Sequence, residues 1–408
     1  MAGPVARHDR AVAAEQLLAV LYPPPFTVGP GEGPPVAGGL RRSWTAIPSA
    51  DRPRLLVPGG GGMAAARSAR RQLTGRRLRT RVARAVMGAA LATRALPLLP
   101  GTRVTVYGPP GARSIEDLLC EVLDLAEVRI AMPVGPARAN RKPVLQVIDA
   151  RGAVLGFAKV GHTDLTARLV RREADALRRI GSSAPPGLRV PGLLAATLWE
   201  GREVLVQEAL SVPRQRLVGS RAEERLVGVV ADIARTEGRV LPVAWEGHPL
   251  RTVLADRIAA CGQHREPLRA ALDALDFRGP VPTGSWHGDL NSGNLALVAG
   301  PCPVWDWERY ETDVPLGFDL LHHALHQAIT VDGTPPREAA ADLVRRAPRR
   351  LSPLGIGPHD AASVARAYLL VLATRYLADD QAGAGADLGR VEAWLLPALV
   401  GETQGRAS

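Results

Sequence analysis

The feature that most constrains the fold is a single change of texture near residue 210. Upstream of it, short apolar runs alternate with turn residues: VRIAMPV (128–134), VLQVID (144–149), VLGFAKV (154–160), LLAATLWE (193–200) and EVLVQEAL (203–210). Each run has the length of a strand and is bounded by turn formers, so each is predicted as a strand. The last two flank a turn at Gly201 and Arg202. One helix interrupts the series, from about Asp164 to Ile180 with Asp164 as its N-cap. After Pro213 the apolar residues recur at helical spacing. SRAE (220–223) has the spacing of a capping box, a helix is expected from Leu250 to Leu275, and Gly317 to Val400 reads as mostly helix. Only LALV (295–298) and PVWDW (303–307) read as strands in this half. The expected class is α+β, with a strand-rich lobe followed by a helix-rich lobe.

At 46% hydrophobic and 22% charged residues over 408 positions, the chain has the means to bury a large core, and a mostly disordered state is excluded. No apolar run reaches the roughly 18 residues of a membrane span. The nearest, Ala85 to Pro100, is broken by Arg94. No secretory leader is visible, and Cys120, Cys261 and Cys302 form no pair motif, so a cytoplasmic protein with free thiols is expected.

The net charge of +11 is unevenly spread. Between Arg52 and Ile115 stand 13 arginines and no acid, which leaves the rest of the chain at about −2. Of 51 basic residues only Lys142 and Lys159 are lysines. A coding bias toward arginine makes each surviving lysine informative, because a compact ammonium and a planar guanidinium are not interchangeable.

Residues 1–62 read as loop-rich, with WTAIPSADRPRLLVP (44–58) able to supply two short strands, and residues 63–98 read as basic helix. The expected division is 1–100 as an N-terminal extension, 101–210 as the strand-rich lobe and 211–408 as the helical lobe. The basic run is open to three uses: packing on the core, docking to an anionic surface through residues 64–98, or binding nucleic acid. The last is disfavoured for single strands, since Arg67 to Arg94 contains no aromatic residue to stack on bases.

Chemistry concentrates in SWHGDLNSGNLALVAGPCPVWDWERYETDVPLGFDL (285–320). His287, Asp289, Asn291 and Asn294 crowd one loop, and Asp306 follows between Trp305 and Trp307. An acid set among apolar residues is costly unless it is paired or metal-bound. Asp and Asn oxygens five residues apart, with a second Asp on the next strand, suit Mg²⁺, a hard cation with oxygen ligands.

These residues resemble the aminoglycoside phosphotransferase and choline kinase-like family, whose pattern is HGDxxxxN followed by a hydrophobic-Asp-Trp-Glu strand. HGDLNSGN (287–294) fills the first part and WDWE (305–308) the second, and Asp313 and Asp319 match acids of the family's tail. The resemblance covers roughly residues 110–400. It implies a protein-kinase-like two-lobe fold, with a small antiparallel sheet, a helical second lobe and an extra N-terminal segment. It also implies transfer of phosphate from ATP or GTP, with Mg²⁺, to a hydroxyl of a small molecule. The acceptor stays open among aminoglycosides, amino sugars, choline-like alcohols and other metabolites. A protein substrate is disfavoured, because no activation-segment signature follows Asp306.

The same resemblance assigns roles. Asp289 becomes the catalytic base, His287 and Asp319 brace its loop, and Asn294 and Asp306 hold the metal. Lys159 in GFAKVG (156–161) becomes the phosphate-binding lysine, with Glu173 on the following helix as its partner and Asp175 as the competitor. Glu208 and Leu210 fall where the family's hinge binds adenine. The glycine-rich loop departs from the pattern, since VGPARANRKP (134–143) has one glycine. Glu308 is open between a role near the metal and plain exposure. His322, His323 and His326 read as ordinary helix histidines, and Asp379 and Asp380 as a solvated helix end. A nucleotide-binding pseudokinase or scaffold, docking through the basic segment, is the alternative function.

Overall fold

A computed structural model of the chain describes residues 5–30, 39–59, 103–135, 140–181 and 183–400. The chain divides into two compact units, Met1–Ala137 with Arg141–Val170 and Leu193–Ala209, and Arg138–Asn140 with Arg171–Gly192 and Leu210–Ser408. The division after Ala209 falls where the texture of the sequence changes.

The first unit is built on one sheet. Its strands are β1 (Thr27–Pro30), β2 (Leu40–Ile47), β3 (Leu55–Pro58), β4 (Arg103–Gly108), β5 (Val128–Pro133), β6 (Val144–Asp149) and β7 (Val154–Gly161). After the two-residue β8 (Leu188–Arg189), which belongs to the second unit, β9 (Leu193–Trp199) and β10 (Arg202–Glu208) complete it. The nine strands lie in the order β1-β4-β2-β3-β5-β6-β7-β10-β9, every neighbouring pair antiparallel. The five strands expected between 128 and 210 all form. Lys159 sits in the sheet interior, opposite Val144 on β6 and Leu205 on β10, and is 5% exposed.

The N-terminal residues do not stand apart from this sheet. The two strands expected within 44–58 form β2 and β3, and β3 pairs with β5. A helix, α1 (Val5–Leu21), stands where a loop-rich segment was expected. Its Leu17, Leu18 and Leu21, with Tyr22, join Trp44, Leu56, Ile130 and Val147 in one apolar core. Trp44 Nε1 donates to Ile130 O at 3.0 Å and Trp199 Nε1 to Leu21 O at 3.2 Å, so the tryptophans meet their polar needs inside that core. The many prolines and glycines of 1–62 hide these elements, because they punctuate a real helix and real strands rather than replace them. The basic helix expected over 63–98, and with it the anionic-surface docking, lies outside the described residues. Helix α2 (Ile115–Leu123) follows β4, with Ser114 and Asp117 forming a reciprocal capping box.

Helix α3 (Asp164–Gly181) carries the division between units after Val170. Thr163 Oγ1, rather than Asp164, accepts the backbone N–H of Thr166 at 3.2 Å.

The second unit is helical: α4 (Ser220–Ile233), α5 (Pro249–Ala259), α6 (Arg265–Asp273), α7 (Phe318–His326), α8 (Pro336–Leu351), α9 (Pro358–Ala378) and α10 (Val391–Val400). Helix α9 is buried on all sides through Val364, Ala365, Tyr368, Leu369 and Leu372, which marks it as the centre of the unit. Strands β11 (Leu241–Val243), β12 (Val281–Trp286) and β14 (Glu311–Pro315) form a small sheet, and β13 (Cys302–Pro303) pairs with β8. The single helix expected from Leu250 to Leu275 is two, broken where Gly262 takes φ +54°. Ser220 does not cap α4; Gly219 stands at that position without a side-chain bond. No helix among the described residues is long and apolar enough to cross a membrane. Cys302 is buried, while Cys120 and Cys261 are partly exposed, and all three are free thiols.

Candidate active site

Strand β12 delivers the loop. Trp286, its last residue, is buried against Phe318 (ring centroids 5.3 Å apart) at the start of α7. The backbone then turns at Gly288, whose φ of +83° and close approach to the Arg309 carbonyl admit no side chain. The turn leaves backbone N–H groups pointing inward, and an acid collects them. Asp319, one residue into α7, accepts from His287 N at 2.7 Å and from Gly288 N at 3.1 Å. Burial pushes the Asp319 carboxyl up, and the two backbone donors work against that rise. The expected bracing position of Asp319 is therefore filled by a direct bond to the loop backbone.

His287 is fully buried and its protonation follows from its neighbours. Nε2 lies 3.0 Å from Trp305 O, an acceptor only, and Nδ1 accepts from Asp289 N at 3.2 Å. The ring is thus neutral with its proton on Nε2. It ties the loop to the strip containing Asp306, and it lies 4.7 Å from the Trp307 ring, centroid to centroid.

The side chain of Asp289 takes three bonds. Oδ1 accepts from Asn291 Nδ2 at 3.1 Å and lies 3.0 Å from His322 Nε2, and Oδ2 accepts from Asn294 Nδ2 at 3.0 Å. Burial acts to raise its carboxyl, but the hydrogen bond to His322 leads the effects that oppose it, and the net shift is downward. Asn294 Nδ2 also donates to Asp289 O at 2.9 Å. Both of its partners are acceptors, so the amide NH2 faces Asp289 and the carbonyl Oδ1 faces away from it. Asn294 O in turn accepts from Trp305 N at 3.0 Å, which brings the residue beside Asp306.

Asp306 differs from its expectation. It does not lie on a strand, because pairing in this strip stops at the Leu295–Val304 bridge and Asp306 takes a left-handed φ of +72°. Such a backbone costs energy outside glycine, and it aims the carboxylate where a pleated strand would not. Oxygens of Asp306, Glu308 and Glu173 lie within 4.8 Å of one another, Glu173 and Glu308 buried and Asp306 half-buried. Glu308 thus belongs with the acids of the site rather than with exposed residues. Three carboxylates this close call for positive charge among them.

Other residues of the first unit that the resemblance singles out are Lys159, described above, and Glu208, which ends β10 exposed. Leu210, the first residue of the second unit after the division, is 5% exposed.

Three residues escaped the sequence reading. His322 is no ordinary helix histidine, since it holds Asp289; its place one turn after Asp319 on α7 was the available signal. Tyr368 Oη lies 3.0 Å from His322 Nδ1, and nothing in the sequence around residue 368 marks it. Arg375 Nη1 donates to Gly288 O at 2.6 Å and stacks over Trp286 at 4.9 Å. Asp379 is not part of a solvated helix end: it is 9% exposed and paired with Arg309, leaving Asp380 on the surface.

The sequence matches the phosphotransferase enzyme family (APH) over residues 139–354. No curated protein matches the chain. Among solved structures, a putative fructosamine-3-kinase from Haemophilus somnus is 14% identical, covers 70% of this chain and 96% of its own, and superposes with a TM-score of 0.44. A macrolide 2'-phosphotransferase from Brachybacterium faecium is 18% identical, covers 67% and 88%, and gives 0.38. An aminoglycoside phosphotransferase from Streptomyces rimosus, solved with ADP and streptomycin, is 15% identical, covers 56% and 90%, and gives 0.34.

Proposed function

The chain belongs to the phosphotransferase enzyme family, and on that premise we propose that it transfers the γ-phosphoryl group of ATP or GTP, in the presence of Mg²⁺, to a hydroxyl of a small molecule. The observation that carries this reading is one continuous bonding path: Asp289 is held by Asn294, and Asn294 by the strip that presents Asp306 and Glu308.

The residues fit a magnesium ion. The clustered acids Glu173, Asp306 and Glu308 offer only oxygen, the Asn294 carbonyl, turned away from Asp289, can add another, and hard cations choose such ligands. When bound, Mg²⁺ neutralises charge on the nucleotide phosphates. Asp289 orients the acceptor hydroxyl and accepts its proton as the new O–P bond forms. The bond between the γ-phosphorus and its bridging oxygen breaks, and its electron pair leaves with the nucleoside diphosphate. Phosphoryl transfer asks the protein for positioning and charge more than for covalent help, and this loop supplies positioning through hydrogen bonds. Lys159 is assigned the phosphates, Glu173 the task of holding that lysine, and the backbone of Glu208 and Leu210 the base of the nucleotide.

The test is nucleotide consumption by the purified protein against a panel of hydroxyl metabolites, with and without Mg²⁺. Consumption that rises with one acceptor class and needs the metal supports the reading. Tight nucleotide binding without turnover on any acceptor or on water would favour the pseudokinase alternative.

A further inference from the structure

Asp289 has two carboxylate oxygens, and the structure treats them differently. Oδ1 receives His322 Nε2 at 3.0 Å and Asn291 Nδ2 at 3.1 Å, whereas Oδ2 receives one side-chain donor, Asn294 Nδ2 at 3.0 Å. A carboxylate oxygen offers about two lone-pair sites. Oδ1 is therefore filled, and Oδ2 keeps one site open.

The imidazole that fills Oδ1 is itself held from behind. His322 is 8% exposed, and its Nδ1 lies 3.0 Å from the hydroxyl of Tyr368, which is fully buried on α9. Burial pushes the Tyr368 phenol far up, so it keeps its proton and can donate. The carboxylate of Asp289 can only accept, so Nε2 carries the proton of the neutral ring, and Nδ1 is left to accept the Tyr368 O–H; the two partners together hold one tautomer. The same helix holds the loop twice: Asp319 takes its backbone N–H groups, and His322, one turn on, takes the side chain of Asp289. Helix α7 then runs directly into a π-helical turn, Gln327–Val331, a widening found often at functional sites.

We infer that His322, held in one tautomer between Tyr368 and Asp289, is a positioning residue that occupies Asp289 Oδ1 and thereby leaves Oδ2 as the atom that takes the acceptor proton. This rests on the reading of Asp289 as the base. It goes beyond that reading by naming the reacting oxygen and the two residues that select it. His322 acts through Asp289. As the acceptor O–P bond forms, the proton moves to Oδ2, and the Oδ1–His322 bond keeps the carboxylate from rotating.

The test has two readouts on the full chain. In long-range proton–nitrogen spectra of the histidine-labelled protein, with His322→Gln used to find the His322 signals, the ring is expected to carry its proton on Nε2. Tyr368→Phe is expected to move chiefly the Nδ1 resonance, and Asp289→Asn chiefly Nε2. A proton on Nδ1, or signals indifferent to both variants, overturns the inference. The second readout is release of inorganic phosphate from Mg-ATP with water as acceptor. His322→Leu is expected to lower kcat by about 10- to 100-fold with the KM for ATP unchanged, a share of the effect typical of a positioned base. His322→Gln, which keeps an N–H near the Nε2 position, is expected to recover most of it. Equal rates for the Leu and Gln variants, or a change confined to KM, overturn the positioning role. An inactive Asp289→Asn beside a fully active His322→Leu defeats this inference alone, whereas a fully active Asp289→Asn defeats the assignment of the base.

Discussion

The sheet of the first unit and the loop at 287–294 meet the same demand, that buried backbone groups be bonded, with opposite materials. In the sheet, neighbouring strands satisfy each other and side chains such as Leu145, Val147, Ala158 and Val160 are free to be apolar. In the loop no strand is at hand. The N–H groups of His287, Gly288 and Asp289 end on side chains, two on Asp319 and one on His287. The difference predicts how each region fails. An apolar core loses stability in proportion to what is removed, and a bonded polar loop loses function when a single partner is taken away, because an orphaned buried group costs about 1–3 kcal/mol and the geometry goes with it.

The largest effect is expected from the sheet side. Deleting residues 1–100 removes α1 and β1 to β3 and uncovers the edge of β5. Leu18, Leu21, Tyr22, Trp44 and Leu56 are each at most 2% exposed. At about 2 kcal/mol for each, their loss rivals the whole stability of a domain. The truncated chain should be recovered as insoluble protein; a soluble one with a cooperative thermal transition would remove the claim that these elements belong to the core.

Next comes the loop. Asp289→Asn preserves shape but cannot take a proton, and turnover should fall by about 10²–10⁴-fold. Calorimetry should show nucleotide affinity little changed. Asp306→Ala should do the reverse: nucleotide affinity measured with Mg²⁺ should drop by about tenfold or more, toward the affinity measured without the metal. Unchanged affinity with Mg²⁺ would sink the metal assignment.

The smallest effect concerns a histidine outside the loop. His248 caps α5, with Nδ1 accepting Leu250 N at 3.1 Å and Nε2 2.9 Å from Thr283 Oγ1. Burial lowers its pKa to about 4, only partly offset by Asp313. The folded pKa lies below the unfolded value of about 6.5, so the unfolded state binds more protons between the two. Its stabilisation is complete above pH ~6.5 and is lost as pH falls toward ~4, by about 2–3 kcal/mol. Denaturant unfolding across that window should show a steeper pH slope for the native protein than for His248→Asn, which can still cap but does not titrate.

Much of this contrast was legible in the sequence. The strands of 128–210 show their period, and HGDLNSGN shows its chemistry because Asp289, Asn291 and Asn294 bond within five residues of one another. The tie from Asp289 to Tyr368 was not legible, since it spans α7 and α9 and depends on how two helices pack. Asp306 was placed on a strand because its neighbours are apolar; its left-handed backbone answers to the site and not to local propensity. Helix α1 was missed because a 17-residue helix was averaged into a stretch rich in turn residues.

The strand order has one more consequence. Trp44 of β2 is paired on one side with Pro58, the end of β3, and on the other with Val104, near the start of β4. Two strand spacings separate those partners, about 10 Å. Of the chain between them, residues 59–102 carry nine arginines and no acid. Its two ends are fixed at nearby points of the sheet, and a bridge of four or five residues, at roughly 3.3 Å each, would span the same gap. Closure entropy varies only with the logarithm of length, so the change in loop length by itself costs the sheet little. Removing residues 59–102 would bring the formal charge from +11 to +2. Excising the segment internally therefore tests whether the sheet needs it, by a cut that end-truncation cannot make.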